Sequence, residues 1–276
     1  MQQNYQPIGV FNSGYGGLTI LKSITARLPR YDYIYLGDNA RTPYGSRSFD
    51  VVYEYTRQAV MKLFSMGCEL VILACNTASA KALRSIQQND LPLFFPERRV
   101  LGVIRPSVEQ VPLLTKSGHI GVLGTAGTVL SDSYPLEIAK FAANKLIVTQ
   151  EACPMWVPLV ENDEINNLAA DYFVQKNITN LLRKDPKIDT VILGCTHYPL
   201  LRHTIDKFLP PYITVLEQGP IVADSLADYL VRHPEMDRNC SKEGSVRFLT
   251  TESTDNFEPR AGLFMGQVIS AEKIQL

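Results

Sequence analysis

The chain has 276 residues, 45% of them apolar and 20% charged, as expected of a soluble globular protein of one or two domains with a sizeable core. Its 27 Lys plus Arg balance 28 Asp plus Glu to a net charge of -1, which argues against nucleic acid or an anionic membrane as a partner. The five cysteines are odd in number and form no CxxC pair, so a disulfide scaffold and a zinc ribbon are both disfavoured.

The opening MQQNYQPIGV has no charged start followed by an apolar stretch, and no apolar run approaches the ~20 residues of a membrane span. A cytoplasmic protein with reduced thiols is expected. Short, β-branched apolar runs then recur along the chain: PIGVF (7–11), DYIYLG (32–37), LVILAC (70–75) and RVLGVI (99–104). HIGVLG (119–124), KLIVTQ (145–150), TVILGC (190–195) and YITVLE (212–217) follow. Apolar throughout and bounded by turn residues, they read as buried parallel strands. Helical patterns separate them, over 17–28, over 49–66 with Gly67 as C-cap, and over 163–183. Residues 220–232 read as a helix, VRFLT (246–250) as a strand, and 234–245 as polar turns.

An internal repeat organises these elements. VILACNT (71–77) matches VILGCTH (191–197), and IGVFNSG (8–14) matches IGVLGTA (120–126). The fold class expected is α/β, with two similar domains of mainly parallel sheet about a pseudo-two-fold axis and the active site in the cleft between them. The first domain is placed at 1–105 plus 217–276 and the second at 106–216, because the tail is too short to form a core of its own.

Ligands of open α/β sheets bind beyond the carboxyl ends of the strands, so the candidate chemistry lies in the loops there. Those loops hold Asn12-Ser13-Gly14, Asp38 to Gly45, Cys75-Asn76-Thr77, Gly124 to Thr128, and Cys195-Thr196-His197. The glycines at 14–17 depart from GxGxxG and are a weak dinucleotide signature. Cys75 and Cys195 occupy matching positions in the repeat, each before an expected helix start that would favour a thiolate. Two facing thiols suit inversion of a stereocentre, one taking a proton from one face and the other returning one to the opposite face. Ser13, Asn76, Thr77, Thr128 and Thr196 could hold a carboxylate as carbanion charge builds. His197, two residues after Cys195, could help that thiol ionise. The scattered histidines give no metal site, and no strand-end Lys suggests pyridoxal phosphate. Cys68, Cys153 and Cys240 lack repeat partners and read as structural.

The motifs IGVFNSGYGGLTI, YLGDNARTPYG, ACNTASA, the GT-x-GT loop at 124–128, ACPMWVPLVE and GCTHYPLL resemble those of the glutamate racemases, within the cofactor-independent aspartate/glutamate racemase superfamily. The resemblance runs from residue 8 to about 230. It implies a bacterial isomerase interconverting L- and D-glutamate without cofactor or metal, supplying D-glutamate for peptidoglycan. It also implies a homodimer and, in some members, regulation by a peptidoglycan precursor. By match, Cys75 deprotonates D-glutamate and Cys195 L-glutamate, with His197, Asp38, Glu161 and Asn12 as further catalytic candidates. The implied substrate-binding set is Asn12, Ser13, Pro43, Tyr44, Gly45, Asn76, Thr77, Thr125, Thr128, Thr196 and His197. Asn12 stands where the family normally has Asp, keeping the shape but losing the charge. Arg105, where many members carry an acidic residue, falls at the expected domain crossover.

Two other readings compete. One is a racemase-fold protein that binds glutamate but turns it over poorly because of Asn12; the other is a racemase for a different amino acid such as aspartate. A cysteine hydrolase built on Cys195 and His197 is more distant, since it accounts for neither Cys75 nor the repeat.

Overall fold

The computed structural model describes residues 6–141 and 146–276. Residues 1–5, where the leader was sought, and Lys145, the first residue of one expected strand, lie outside that range. The described chain forms two compact units: one runs to Val103 and resumes at Gly219, and the other is Ile104–Gln218. No helix among the described residues is long and apolar enough to cross a membrane.

In the first unit, β1 (Ile8–Asn12), β2 (Tyr33–Gly37), β3 (Leu70–Leu73) and β4 (Arg99–Gly102) are four of six strands. The second unit holds β5 (His119–Gly124), β6 (Ile147–Ala152), β7 (Thr190–Gly194) and β8 (Thr214–Leu216). The first sheet is completed from late in the chain by β9 (Val246–Thr250) and β10 (Ala271–Lys273). Its order is β10-β9-β2-β1-β3-β4, the second sheet's is β6-β5-β7-β8, and all pairings are parallel. Both sheets therefore contain the order second, first, third, fourth, so the sequence repeat is a repeat of topology. The central strands β1, β2, β3 and β7 are buried along their whole length, as parallel strands covered on both faces must be. β6 departs from this pattern: it is an edge strand, and Ile147 is exposed.

Helices follow the strands. α1 (Gly17–Arg27) buries Leu18, Ile20, Leu21 and Ile24. A Cβ on Gly17 would stand 2.4 Å from the Asn12 Cβ, so this close approach of helix to strand end requires glycine. α2 (Phe49–Ser65) is capped by Ser48, whose Oγ accepts from the Val51 N–H, and Gly67 turns the chain away at φ +95°. The first core gathers Phe11, Leu36, Val60, Leu63, Val71 and Leu73. A buried Leu→Ala change in such a core costs about 2–5 kcal/mol.

Two expected elements shift. The helix expected over 163–183 is Leu168–Lys184: Asp163 takes φ +59°, and the Asn167 side chain caps the helix by accepting from the Ala170 N–H at 3.0 Å. Ile165 therefore belongs to the preceding turn. Within the polar stretch 234–245, Pro234–Asn239 forms a short helix, with Pro in its first turn where no N–H is needed. Arg105 sits in the helix Ile104–Leu114, paired with Glu109 at 2.9 Å and stacked on Phe141.

Candidate active site

The candidate residues form two groups, one in each unit. In the first unit, Asn12 ends β1, Asp38 follows β2 and Cys75 follows β3. All three emerge where adjacent parallel strands stop, which brings together residues far apart in sequence. Asn12 is buried; its Nδ2 donates to the Ala74 carbonyl and its Oδ1 accepts from the Gly14 N–H at 2.8 Å. The amide thus ties the first loop to the residue preceding Cys75. Cys75 caps α3 (Asn76–Lys81): its Sγ accepts from the Ala78 N–H at 3.4 Å and lies 3.5 Å from Ser13 Oγ. Main-chain dipole and hydroxyl are both suited to a thiolate. Asn76 and Thr77 are buried on the same turn.

Asp38 is fully buried, and its oxygens are engaged within the protein. Arg41 Nε donates to it at 2.7 Å, Thr251 Oγ1 at 2.9 Å, and the Tyr44 hydroxyl completes the set. Arg41 continues to Gln58 at 2.6 Å and lies over the Tyr55 ring. Burial and the Asp38 charge push the Tyr44 hydroxyl far above its ordinary pKa, so it remains a donor to Asp38. This geometry makes Asp38 the anchor of the turn carrying Pro43, Tyr44 and Gly45. Pro43 is exposed, Gly45 half-buried and the Tyr44 side chain turned inward. Arg41 and Thr251 were not singled out from sequence. Arg41 had a local signal in the charged DNAR stretch, whereas Thr251 reaches the site only through the pairing of β9 with β2.

In the second unit, Thr125 caps the helix Ala126–Leu130, accepting from the Thr128 N–H at 3.3 Å, and the two hydroxyls lie 3.1 Å apart. Thr128 is fully buried and Thr125 half-buried. Cys195 follows β7. The helix start expected beyond Thr196 and His197 is a tight 3-10 turn over Tyr198–Leu201, and the α-helix follows from Arg202. Pro199 lacks an N–H, which removes a donor from the first regular turn. The thiol meets an imidazole instead: Cys195 Sγ lies 3.7 Å from His197 Nδ1, and His197 Nε2 is 3.0 Å from Glu161 Oε1. Thr196 is buried between them in sequence.

Burial alone would lower the His197 pKa. Hydrogen bonds to Cys195 and Glu161, with the charges of both, outweigh it and push the value up to about 10. Around neutrality the group is an imidazolium set between the Cys195 sulfur and the Glu161 carboxyl group. Tyr134 and Tyr198 lie close enough to this centre to feel the Cys195 charge and were not foreseen. Burial and the Cys195 charge raise the Tyr134 hydroxyl, which accepts from Gln218 Nε2 at 3.1 Å. Tyr198 packs edge-on to Trp156, ring centres 4.7 Å apart. Cys68, Cys153 and Cys240 are buried, and burial raises each of their thiols. Cys153 too follows a strand, β6, but Cys75 and Cys195 alone of the five follow the third strand of each unit.

Comparison with known proteins agrees with this frame. A family model described as Asp/Glu/Hydantoin racemase matches residues 8–224, and the chain belongs to that family. Within it, the chain is 42% identical to a glutamate racemase of Paracoccus denitrificans, over 96% of this chain and 98% of that one. Glutamate racemase isoform RacE1 of Bacillus anthracis superposes with a TM-score of 0.89 at 34% identity, over 99% of this chain and 98% of that one. The glutamate racemase of Francisella tularensis, solved in complex with D-glutamate, gives 0.85 at 28% identity over the same shares. The fold is thus an α/β fold with two parallel sheets, and the chain is an amino-acid racemase.

Proposed function

We propose that this enzyme interconverts L- and D-glutamate through two thiols and no cofactor. The observation that carries the reading is the equivalence of Cys75 and Cys195: each follows the third strand of the same four-strand order. Cys75, as thiolate, takes the α-proton of D-glutamate, and the Cys195 thiol returns a proton to the opposite face. With L-glutamate the roles exchange. Each turnover leaves the two thiols in swapped protonation states, which reset by reverse turnover or by exchange with water. The α-proton is weakly acidic, so the developing negative charge on the substrate carboxylate needs donors set in advance. Ser13, Asn76, Thr77, Thr125, Thr128 and Thr196 supply candidates, and Pro43-Tyr44-Gly45 a main-chain wall. His197, held by Glu161, keeps Cys195 ionised when it acts as base.

The D-glutamate formed would serve peptidoglycan synthesis in the cytoplasm. The exposed Leu113, Leu130 and Leu136 of the second unit offer apolar surface for a homodimer. The resemblance of the motifs alone supports regulation by a peptidoglycan precursor.

The test is incubation with L-glutamate in heavy water, following the α-proton by NMR and optical activity by circular dichroism. Loss of both signals is expected. Exchange without loss of optical activity would mean that only Cys195 works. Absence of both changes would overturn the proposal, and faster turnover of L-aspartate would replace the substrate.

A further inference from the structure

Lys81 is a buried cation that the proton transfers do not use. It is the last residue of α3, the helix whose N-cap is Cys75. It is 8% exposed; its Nζ donates to the main-chain oxygen of Arg47 at 2.6 Å and lies 4.9 Å from the centre of the Phe49 ring. Burial lowers its pKa, and no carboxylate of the described residues offsets that effect. Burying an ammonium without a counter-ion is costly, and the contacts it keeps here are those to the Arg47 carbonyl and the Phe49 ring.

What it holds is the turn after β2. The Arg47 N–H donates to the Tyr44 carbonyl at 3.0 Å, closing the turn 44–47. Tyr44 fastens the head of that turn to Asp38, and Lys81 fastens its tail to α3. Immediately beyond, Ser48 caps α2. A buried carboxylate and a buried ammonium therefore pin the two ends of one short loop.

We propose that Lys81 is a positioning residue that locks the loop bearing Pro43, Tyr44 and Gly45 to the helix bearing Cys75, so that substrate contacts and thiol move as one body. The proposal rests on the reading of that loop as a substrate contact. Because the two substrates are enantiomers of equal free energy, kcat/KM must change equally in both directions. The informative split is therefore between KM and kcat in each direction.

The experiment compares wild-type enzyme with Lys81→Met, which keeps the stem and loses the donor, and Lys81→Arg, which keeps a donor. Lys81→Met is expected to raise KM for both enantiomers about tenfold with kcat changed less than about twofold, the size of one lost charge-assisted hydrogen bond. Amide hydrogen exchange read by mass spectrometry should quicken over 44–48, and Lys81→Arg should restore both KM and protection. Should Lys81→Met fail to fold, Lys81→Gln, a weaker donor on a shorter stem, is read in the same way. Unchanged KM overturns the proposal, as do equal losses in the Met and Arg variants that track a fall in melting temperature, since those mark packing alone. Wild-type enzyme that does not racemise glutamate overturns the functional reading and this role together. Wild-type racemisation with an unaltered Lys81→Met variant overturns the Lys81 role alone.

Discussion

The two cysteine centres occupy equivalent strand ends, yet they are equipped differently. Cys75 sits at a helix N-cap, with the Ala78 N–H and the Ser13 hydroxyl near its sulfur. Cys195 has a tight turn instead, with the His197 imidazolium beside it and Glu161 behind. One sulfur has neutral dipoles beside it, and the other a cation that is itself held by a carboxyl group. A duplicated sheet thus dictates where a reactive group stands and leaves open how its charge is stabilised. The two centres should differ in their response to pH even if, as proposed, they act in one reaction.

The largest expected effect removes that difference. Cys75→Ala and Cys195→Ala should each cut racemisation at least about a thousandfold, since a positioned acid or base contributes about 10²–10⁴. Either variant retaining most of its activity in a circular dichroism assay would break the pairing of the two centres.

The next effect is confined to the second centre. His197→Asn should lower kcat about a hundredfold and Glu161→Gln about tenfold. The His197 pKa is raised, so its cationic form stabilises the fold fully below the unfolded value near 6.5, and that contribution fades as pH rises through about 10. Activity that needs the imidazolium should follow the same alkaline limb, and Glu161→Gln should move that limb to lower pH. A pH–rate profile identical to wild type would contradict the assignment.

Smaller effects belong to the first centre and are read as stability. Asp38→Asn leaves Arg41 partly buried without its carboxylate and should cost about 1–3 kcal/mol in denaturant unfolding, with KM raised through the loosened 43–45 turn. Asn12→Asp sets a carboxylate against the Ala74 carbonyl, where Nδ2 now donates, and should cost about 1–2 kcal/mol at neutral pH. Such a carboxyl would have a raised pKa, so the loss should shrink on acidification as the acid protonates and regains a donor. A variant that is as stable as wild type and faster would instead mean that the first centre lacks a base and that Asn12 limits turnover.

Much of this was legible in the sequence, for physical reasons. Parallel strands buried on both faces read as unbroken apolar runs, so the first eight strands stood out, and aligned cysteines exposed the repeat. The misreadings share a cause as well. The start of the 168–184 helix is set by the Asn167 cap and the left-handed Asp163, neither of which alters the apolar spacing. β10, Ala271–Lys273, is a mostly exposed edge strand without an apolar pattern. Thr251 and Lys81 gained meaning only from pairings across the fold: β9 on β2 for one, the turn 44–47 on α3 for the other.

The placement of β9 beside β2 also bears on how the molecule is made. During synthesis, Ile104–Gln218 leaves the ribosome as one contiguous stretch, able to close its four-stranded sheet at once. The first unit has by then emerged only in part, with the hydrogen-bonding edge of β2 open until Val246–Thr250 arrives. The half that begins first therefore finishes last. Throughout that interval, a sticky strand edge is what chaperones, or neighbouring nascent chains, would meet.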